Sequence, residues 1–377
     1  MSIDANQFNA LLPPARILLG PGPSMVPTRV LEAMSMPTVG HLDPYFQQVM
    51  EDVKQLLRYV FQTQNDFTIP VSGTGSAGME AALCNFIEPG DRVLIAINGY
   101  FGERMADMAA RYGAEVDRLA CPWGEAFDPD DLETALKAHA YKLLCLVHVE
   151  TSTGVLQPYI AEIAAAAHAQ GALLVLDTVA SLGGTPVEVD AWEVDVCYSG
   201  SQKCLSAPPG LAPLTLSPRA RDMLKQRRRK VTSWYLDLSA LETYWGSNNR
   251  VYHHTAPVNL NYALREALLM VLEEGIASQI ARHQSCADML WEGLEALDLP
   301  PRIPPDLRSP TLTTPTLPPT VDDAAMRKRL LDVYNIEISG GFGPFAGQIW
   351  RIGLMGHSAR HDHVRLLLHA LKQVLNK

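Results

Sequence analysis

The sequence predicts an α/β protein with a mostly parallel sheet, followed by a smaller α+β domain. Three observations lead there. Runs at 91–96, 143–148 and 172–177 are apolar almost throughout, the texture of strands covered on both faces. Helical patterns at 76–86 and 160–170 lie between such runs, and strands alternating with helices build parallel sheets. After about residue 275 the texture changes: a long helical stretch at 276–297 leads into a proline-rich segment at 299–305. Short elements at 311–317, 322–334, 336–339 and 350–354 and a last helix at 361–376 then make up a compact unit. The chain therefore divides into an N-terminal arm (1–15), a large domain (16–275) and a small C-terminal domain (276–377).

Composition narrows the function. Apolar types make up 47% of the 377 residues, enough for two cores. The formal net charge is −10, which disfavours nucleic acid as a partner, since phosphate backbones are held by basic patches. The dense basic run Arg227-Arg228-Arg229-Lys230 reads as a solvated helix face or loop. The six cysteines form no CxxC pair, so no metal site is expected, and most read as buried thiols in a reducing compartment. The first residues lack the basic-then-apolar order of a signal peptide, and no apolar run reaches the roughly 18 residues of a membrane span. The expectation is a soluble, cytoplasmic protein.

Four constellations carry chemistry. Ser72-Gly73-Thr74-Gly75-Ser76 joins an apolar run at 67–71 to a helix; glycines and helix-start N–H groups suit an anion, although a plain glycine turn with Ser76 as helix cap reads equally well. Asp177 ends a buried strand, where a carboxylate needs a cation such as a protonated heterocycle, an arginine, or a capping role. Lys203 follows a strand at 194–197 and the turn Ser199-Gly200-Ser201-Gln202, placed to reach over the sheet edge, where a deprotonated amine can condense with an aldehyde. Arg351 alternates with Trp350 and Ile352 in a strand, so it faces away from both, toward a substrate carboxylate or a surface ion pair. An anion loop, a carboxylate and a lysine follow successive strands in that order, the arrangement of a ligand site at the carboxyl ends of a parallel sheet.

With these residues in place the chain resembles the alanine–glyoxylate and serine–pyruvate aminotransferase family, class V of the fold-type I pyridoxal-phosphate enzymes. The resemblance runs from Leu19-Gly20-Pro21-Gly22-Pro23-Ser24, through Ser152-Thr153-Gly154-Val155-Leu156-Gln157-Pro158 and Val179-Ala180-Ser181-Leu182-Gly183-Gly184-Thr185-Pro186, to Arg351-Ile352-Gly353-Leu354. The segment Tyr252-His253-His254-Thr255 is specific to this subgroup. The resemblance implies a seven-stranded sheet in the large domain and pyridoxal 5′-phosphate held as a Schiff base on Lys203. It implies that Asp177 keeps the pyridine nitrogen protonated and that Thr74, Gly75, Ser76 and Gln202 hold the phosphate. Ser152 would contact the phenolic oxygen side of the ring, and Val179 would pack on one ring face with Phe101 on the other. Tyr252 and Thr255 would reach the neighbouring subunit's phosphate, implying a homodimer with composite sites. Arg351 would take the substrate carboxylate, with Gly22 and its neighbours lining the entrance.

Two positions depart from the family pattern. The ring-stacking position, often tryptophan in relatives, is Phe101, which lacks the indole N–H. His41, in Gly40-His41-Leu42, is a candidate for shaping the substrate pocket or for a purely structural role. Cysteine desulfurases of the same class need a cysteine in a mobile loop, and none follows Arg351. The implied activity is a ping-pong transamination from alanine or serine to glyoxylate or pyruvate.

Overall fold

The computed structural model describes residues 3–4, 9–246 and 250–375. A seven-stranded sheet forms the centre of the large domain. Its spatial order is Phe67–Ser72, Leu211–Leu216, Val196–Tyr198, Leu173–Asp177, Leu143–Val147, Arg92–Ile97 and Glu115–Ala120. The last five pair in parallel, whereas Leu211–Leu216 runs antiparallel to both of its neighbours. Leu143–Val147 and Leu173–Asp177 are buried at every position, which explains why their sequences show no polar alternation. The edge strand Glu115–Ala120 mixes exposed and half-buried residues and carries Glu115, Asp117 and Arg118, charges that discourage pairing with another chain.

The helices Gly75–Phe86, Tyr100–Arg111 and Ile160–Ala169 lie between strands, as the alternation predicts. Together with Pro44–Phe61 and Val258–Glu274 they close the first hydrophobic core over the sheet. Gly275 separates Val258–Glu274 from Ile276–Glu295, which packs in a second core with Asp323–Tyr334 and His361–Val374. A three-stranded antiparallel sheet, in the order Ser339–Gly340, Trp350–Gly353 and Leu312–Thr313, completes the small domain.

The sequence assigns residue 16 onward to the large domain. Ile17–Leu18 pairs in parallel with Ile336–Glu337, and Leu19 is buried in the second core. Ile17–Leu19 thus packs with the small-domain elements, and the residues that follow bond to the large domain, Ser24 to Gln202 and Lys203. Of the N-terminal arm, residues 1–2 and 5–8 lie outside the described residues, as does Asn376 at the expected end of the last helix.

Five cysteines are buried, Cys121 is half-buried, and all six are free thiols. The basic run is a loop fastened to the large domain: Arg227 donates to the carbonyls of Asn85 and Ile87, and the backbone N–H groups of Arg228 and Arg229 donate to Glu88. Among the described residues no helix is long and apolar enough to cross a membrane.

Candidate active site

The carboxyl ends of the parallel strands point to one cavity of about 200 Å³, where Lys203, Asp177, Thr74, Ser76 and Phe101 come together. A larger recess of about 530 Å³ opens elsewhere, beside Asp190 and Arg219, and contains no lysine.

Lys203 is held by its backbone. The Ser24 hydroxyl donates to the Lys203 carbonyl at 2.7 Å, and the Ser24 N–H donates to the Gln202 carbonyl at 2.8 Å. The amine of Lys203 is buried and donates to the Pro21 carbonyl. Gly22 has a φ of +106°, and a Cβ there would sit 2.8 Å from Lys203 Nζ, so glycine is needed for the lysine to lie across this segment. Among the described residues no carboxylate forms an ion pair with Lys203. Burial, reinforced by the Arg351 charge, lowers its pKa to about 8, which makes a neutral amine accessible near physiological pH.

Asp177 lies at the end of its strand with both oxygens occupied. Oδ1 accepts from the Val179 N–H at 2.8 Å and Oδ2 from the Tyr198 hydroxyl at 2.9 Å. Burial raises its pKa to about 6, against the pull of these two donors. No arginine forms an ion pair with it among the described residues, so the expected alternative of an arginine partner is absent. The carboxylate does receive the N–H two residues on, as a capping role would require.

The anion loop takes its expected position. Thr74, not Ser76, is the N-cap of the helix Gly75–Phe86, and its side chain makes no capping bond. The Thr74 hydroxyl and the first N–H groups of the helix are thus available to a ligand. Gln202 Oε1 is buried at the same cavity without a partner. A buried amine with no ion-pair partner among the described residues, a buried carboxylate and an anion cradle with an unsatisfied amide fit an aldehyde-bearing, phosphorylated pyridine.

Thr151 lines the cavity, whereas Ser152 is turned away. The Ser152 hydroxyl donates to Glu150 Oε1 at 2.7 Å and accepts from the Tyr100 N–H at 3.0 Å. Glu150, which sequence reasoning missed, is fully buried and accepts the Phe101 and Gly102 N–H groups at 3.1 and 3.4 Å. Glu150 and Ser152 therefore cap the helix Tyr100–Arg111 and hold Phe101 at the cavity. A Cβ at Gly99 would collide with both of them. Burial pushes the Glu150 carboxyl up to about 7.

Arg351 lies on the strand face opposite Trp350 and Ile352, which belong to the second core. Its Nε donates to the Gly340 carbonyl at 2.8 Å, and its guanidinium stacks 3.9 Å from the Phe342 ring centroid. Burial lowers its pKa to about 10. Among the described residues it forms no ion pair, so the surface ion-pair alternative does not hold. Phe342 also lines the cavity and was not anticipated. Val179 and Gln202 also line the cavity.

Gly22 and Arg351 do not line the cavity but adjoin it through Lys203 and Phe342, whereas Tyr252, Thr255 and His41 are not brought to it. Tyr252 and Thr255 are exposed, and His41 packs against Tyr252 with ring centroids 5.2 Å apart. The next two residues anchor this segment: His254 Nε2 lies 2.8 Å from the Ser72 hydroxyl, and His253 stacks on Trp234 at 4.5 Å.

Comparison with known proteins agrees with this geometry. The family model described as "Aminotransferase class-V" matches residues 16–355. The chain is 41% identical to an (S)-ureidoglycine–glyoxylate transaminase of Bacillus subtilis, over 97% of this chain and 92% of that protein. It is 42% identical to an alanine–glyoxylate aminotransferase of Drosophila melanogaster, over 96% and 93%. A crystal structure of an alanine–glyoxylate aminotransferase from Nostoc sp. superposes with a TM-score of 0.96 at 51% identity, covering 100% of both chains. The chain belongs to the class-V aminotransferases and, as a member of that class, takes pyridoxal 5′-phosphate as its cofactor.

Proposed function

We propose that this aminotransferase moves the amino group of a small amino acid, alanine or serine, to glyoxylate or pyruvate, in two half-reactions at one site. The observation that carries the reading is the convergence of Lys203, Asp177 and the phosphate cradle on a cavity of only about 200 Å³, with Arg351 beside it. Arg351 adjoins that cavity through Phe342, in reach of a substrate carboxylate, and the Phe342 ring at the same place favours a short substrate side chain. Two of the relatives, otherwise named for different donors, share glyoxylate in their names, which supports it as the acceptor.

Thr74, Gly75, Ser76 and Gln202 would hold the cofactor phosphate, and Asp177 would pair with the pyridine nitrogen. Phe101 and Val179 would flank the ring, and Thr151, in place of Ser152, would stand on the phenolic oxygen side. When bound, pyridoxal phosphate supplies an aldehyde for the amine and a ring that withdraws electrons from the α-carbon. Lys203 would hold the cofactor through its amine, and that amine, when free, would take the α-proton from the substrate and give it back. Asp177 would hold the positive charge of the ring nitrogen. Arg351 fixes the substrate carboxylate through its planar donors, and the Phe342 ring beside it limits the reach of the substrate side chain.

Tyr252 and Thr255 are exposed away from this chain's own cavity, which supports a homodimer in which they serve the neighbouring phosphate. Mixing Lys203→Ala with Thr255→Ala subunits should then restore activity in part of the heterodimers; no recovery would argue for self-contained sites. The substrate reading is tested by a panel of alanine, serine, glycine, aspartate and (S)-ureidoglycine against glyoxylate, pyruvate and 2-oxoglutarate. Preference for alanine or serine with glyoxylate is expected. Turnover of aspartate with 2-oxoglutarate but not of any donor with glyoxylate would overturn it.

A further inference from the structure

We infer that Arg104 is the cation that neutralises the cofactor phosphate, an inference that rests on the reading of Thr74–Ser76 as the phosphate end of the site. Arg104 lines the cavity, and its Nη1 donates to the Ser76 hydroxyl at 3.0 Å. It lies on the helix Tyr100–Arg111, three residues after Phe101, so both side chains share one helix face. Its guanidinium stacks 4.8 Å from the Phe101 ring centroid and 5.1 Å from that of Tyr100. One turn of helix thus presents an aromatic face to the ring and a cation to the phosphate.

Charge makes the assignment necessary. A phosphate monoester carries about −1.5 to −2 near neutral pH, and a helix N-terminus offers only about half a positive charge. None of Thr74, Gly75, Ser76 and Gln202 is ionisable. Lys203 is directed to Pro21, and Arg351 lies against Gly340 and Phe342, away from the cradle. Arg104 remains. Its neighbour Glu103 is committed to Arg118, and among the described residues no carboxylate forms an ion pair with Arg104. A half-buried guanidinium that forms no ion pair among the described residues, and whose charge reaches Asp177 only through space, stands beside an anion cradle with a planar fork of donors that fits phosphate oxygens; it is a phosphate ligand in waiting.

The test compares the affinity of the apoprotein for pyridoxal phosphate and for pyridoxal, which lacks the phosphate, by absorbance titration. The native sequence should prefer pyridoxal phosphate. Arg104→Gln should narrow that preference about 10- to 100-fold, the scale of one charge-assisted contact, with pyridoxal affinity unchanged and the circular dichroism spectrum intact. Arg104→Lys, which keeps the charge, should recover part of the preference. An equal loss for both vitamers would make Arg104 only a support for Phe101, and an unchanged ratio would remove it from the phosphate site; either result overturns the inference while leaving the cradle in place. Absence of any preference in the native sequence would overturn the reading of Thr74–Ser76 as well.

Discussion

Tyr198 donates its phenolic hydrogen to Asp177 Oδ2 at 2.9 Å from the adjacent strand, and both residues are buried. The register that pairs Asp177 with Tyr198 fixes this contact. It stabilises the charged carboxylate in a place where burial alone would neutralise it. Tyr198→Phe should raise the Asp177 carboxyl above its present value of about 6 and move the acid limb of the kcat/KM profile upward. Asp177→Asn should retain cofactor and lose turnover about 100-fold or more. Near-normal turnover of Asp177→Asn would show that the acid is not beneath the heterocycle.

The lowered pKa of Lys203 predicts how the apoprotein takes up its cofactor. Only the neutral amine condenses with an aldehyde, so the uptake rate should climb with pH up to about 8 and then level. Stopped-flow absorbance from pH 6 to 9.5 reads this directly. A profile still climbing beyond pH 9.5 would mean that the amine is not desolvated. Lys203→Ala should be inactive and should take no label on borohydride reduction with the cofactor.

Arg351→Ala should leave the cofactor spectrum in place and raise KM for every α-amino acid by about 10- to 100-fold, the loss of a charge-assisted pair. Arg351→Lys should recover little, because a point charge cannot reproduce the planar fork stacked on Phe342. An unchanged KM would place the substrate carboxylate elsewhere.

Glu150 should act on the stability of the apoprotein with a definite sign. Its pKa is raised from 4.5 to about 7 by burial. Between those values the folded chain holds a proton that the unfolded chain has released, so this group's contribution to stability falls as pH rises. Glu150→Gln does not titrate. Relative to the native sequence its stability should improve between pH 4.5 and 7, by at most about 3 kcal/mol, as followed by urea unfolding. A flat difference across that range would mean that Glu150 is ionised throughout.

Much of the site was legible because its chemistry sits at strand ends. Asp177 closes an apolar run, Lys203 follows the next, and the loop Gly73–Ser76 leads into a helix; in a parallel sheet such positions share one edge. A loop has no period to say which of two adjacent hydroxyls, Thr151 or Ser152, turns inward, and only the packing places Thr151 at the cavity. Arg104 sits at i+3 from Phe101, a spacing that could have marked it, but nothing in that spacing says which way the helix face turns. Glu150 lies three residues past the strand Leu143–Val147, and its role depends on where a separate helix begins. Phe342 comes from the small domain, beyond the reach of local pattern.

Sequence alone determined the α/β architecture, the order of anion loop, carboxylate and lysine, and the alternation that turns Arg351 away from Trp350 and Ile352, because each of these follows from local periodicity and chain direction. Tertiary structure decided that Ile17–Leu19 serves the small domain, that Tyr198 holds Asp177, that Glu150 caps the Phe101 helix, and that Tyr252 and Thr255 face outward. Those relations join residues from about 20 to more than 300 positions apart, and they arise only when burial and hydrogen-bond satisfaction select one packing of the elements over the others.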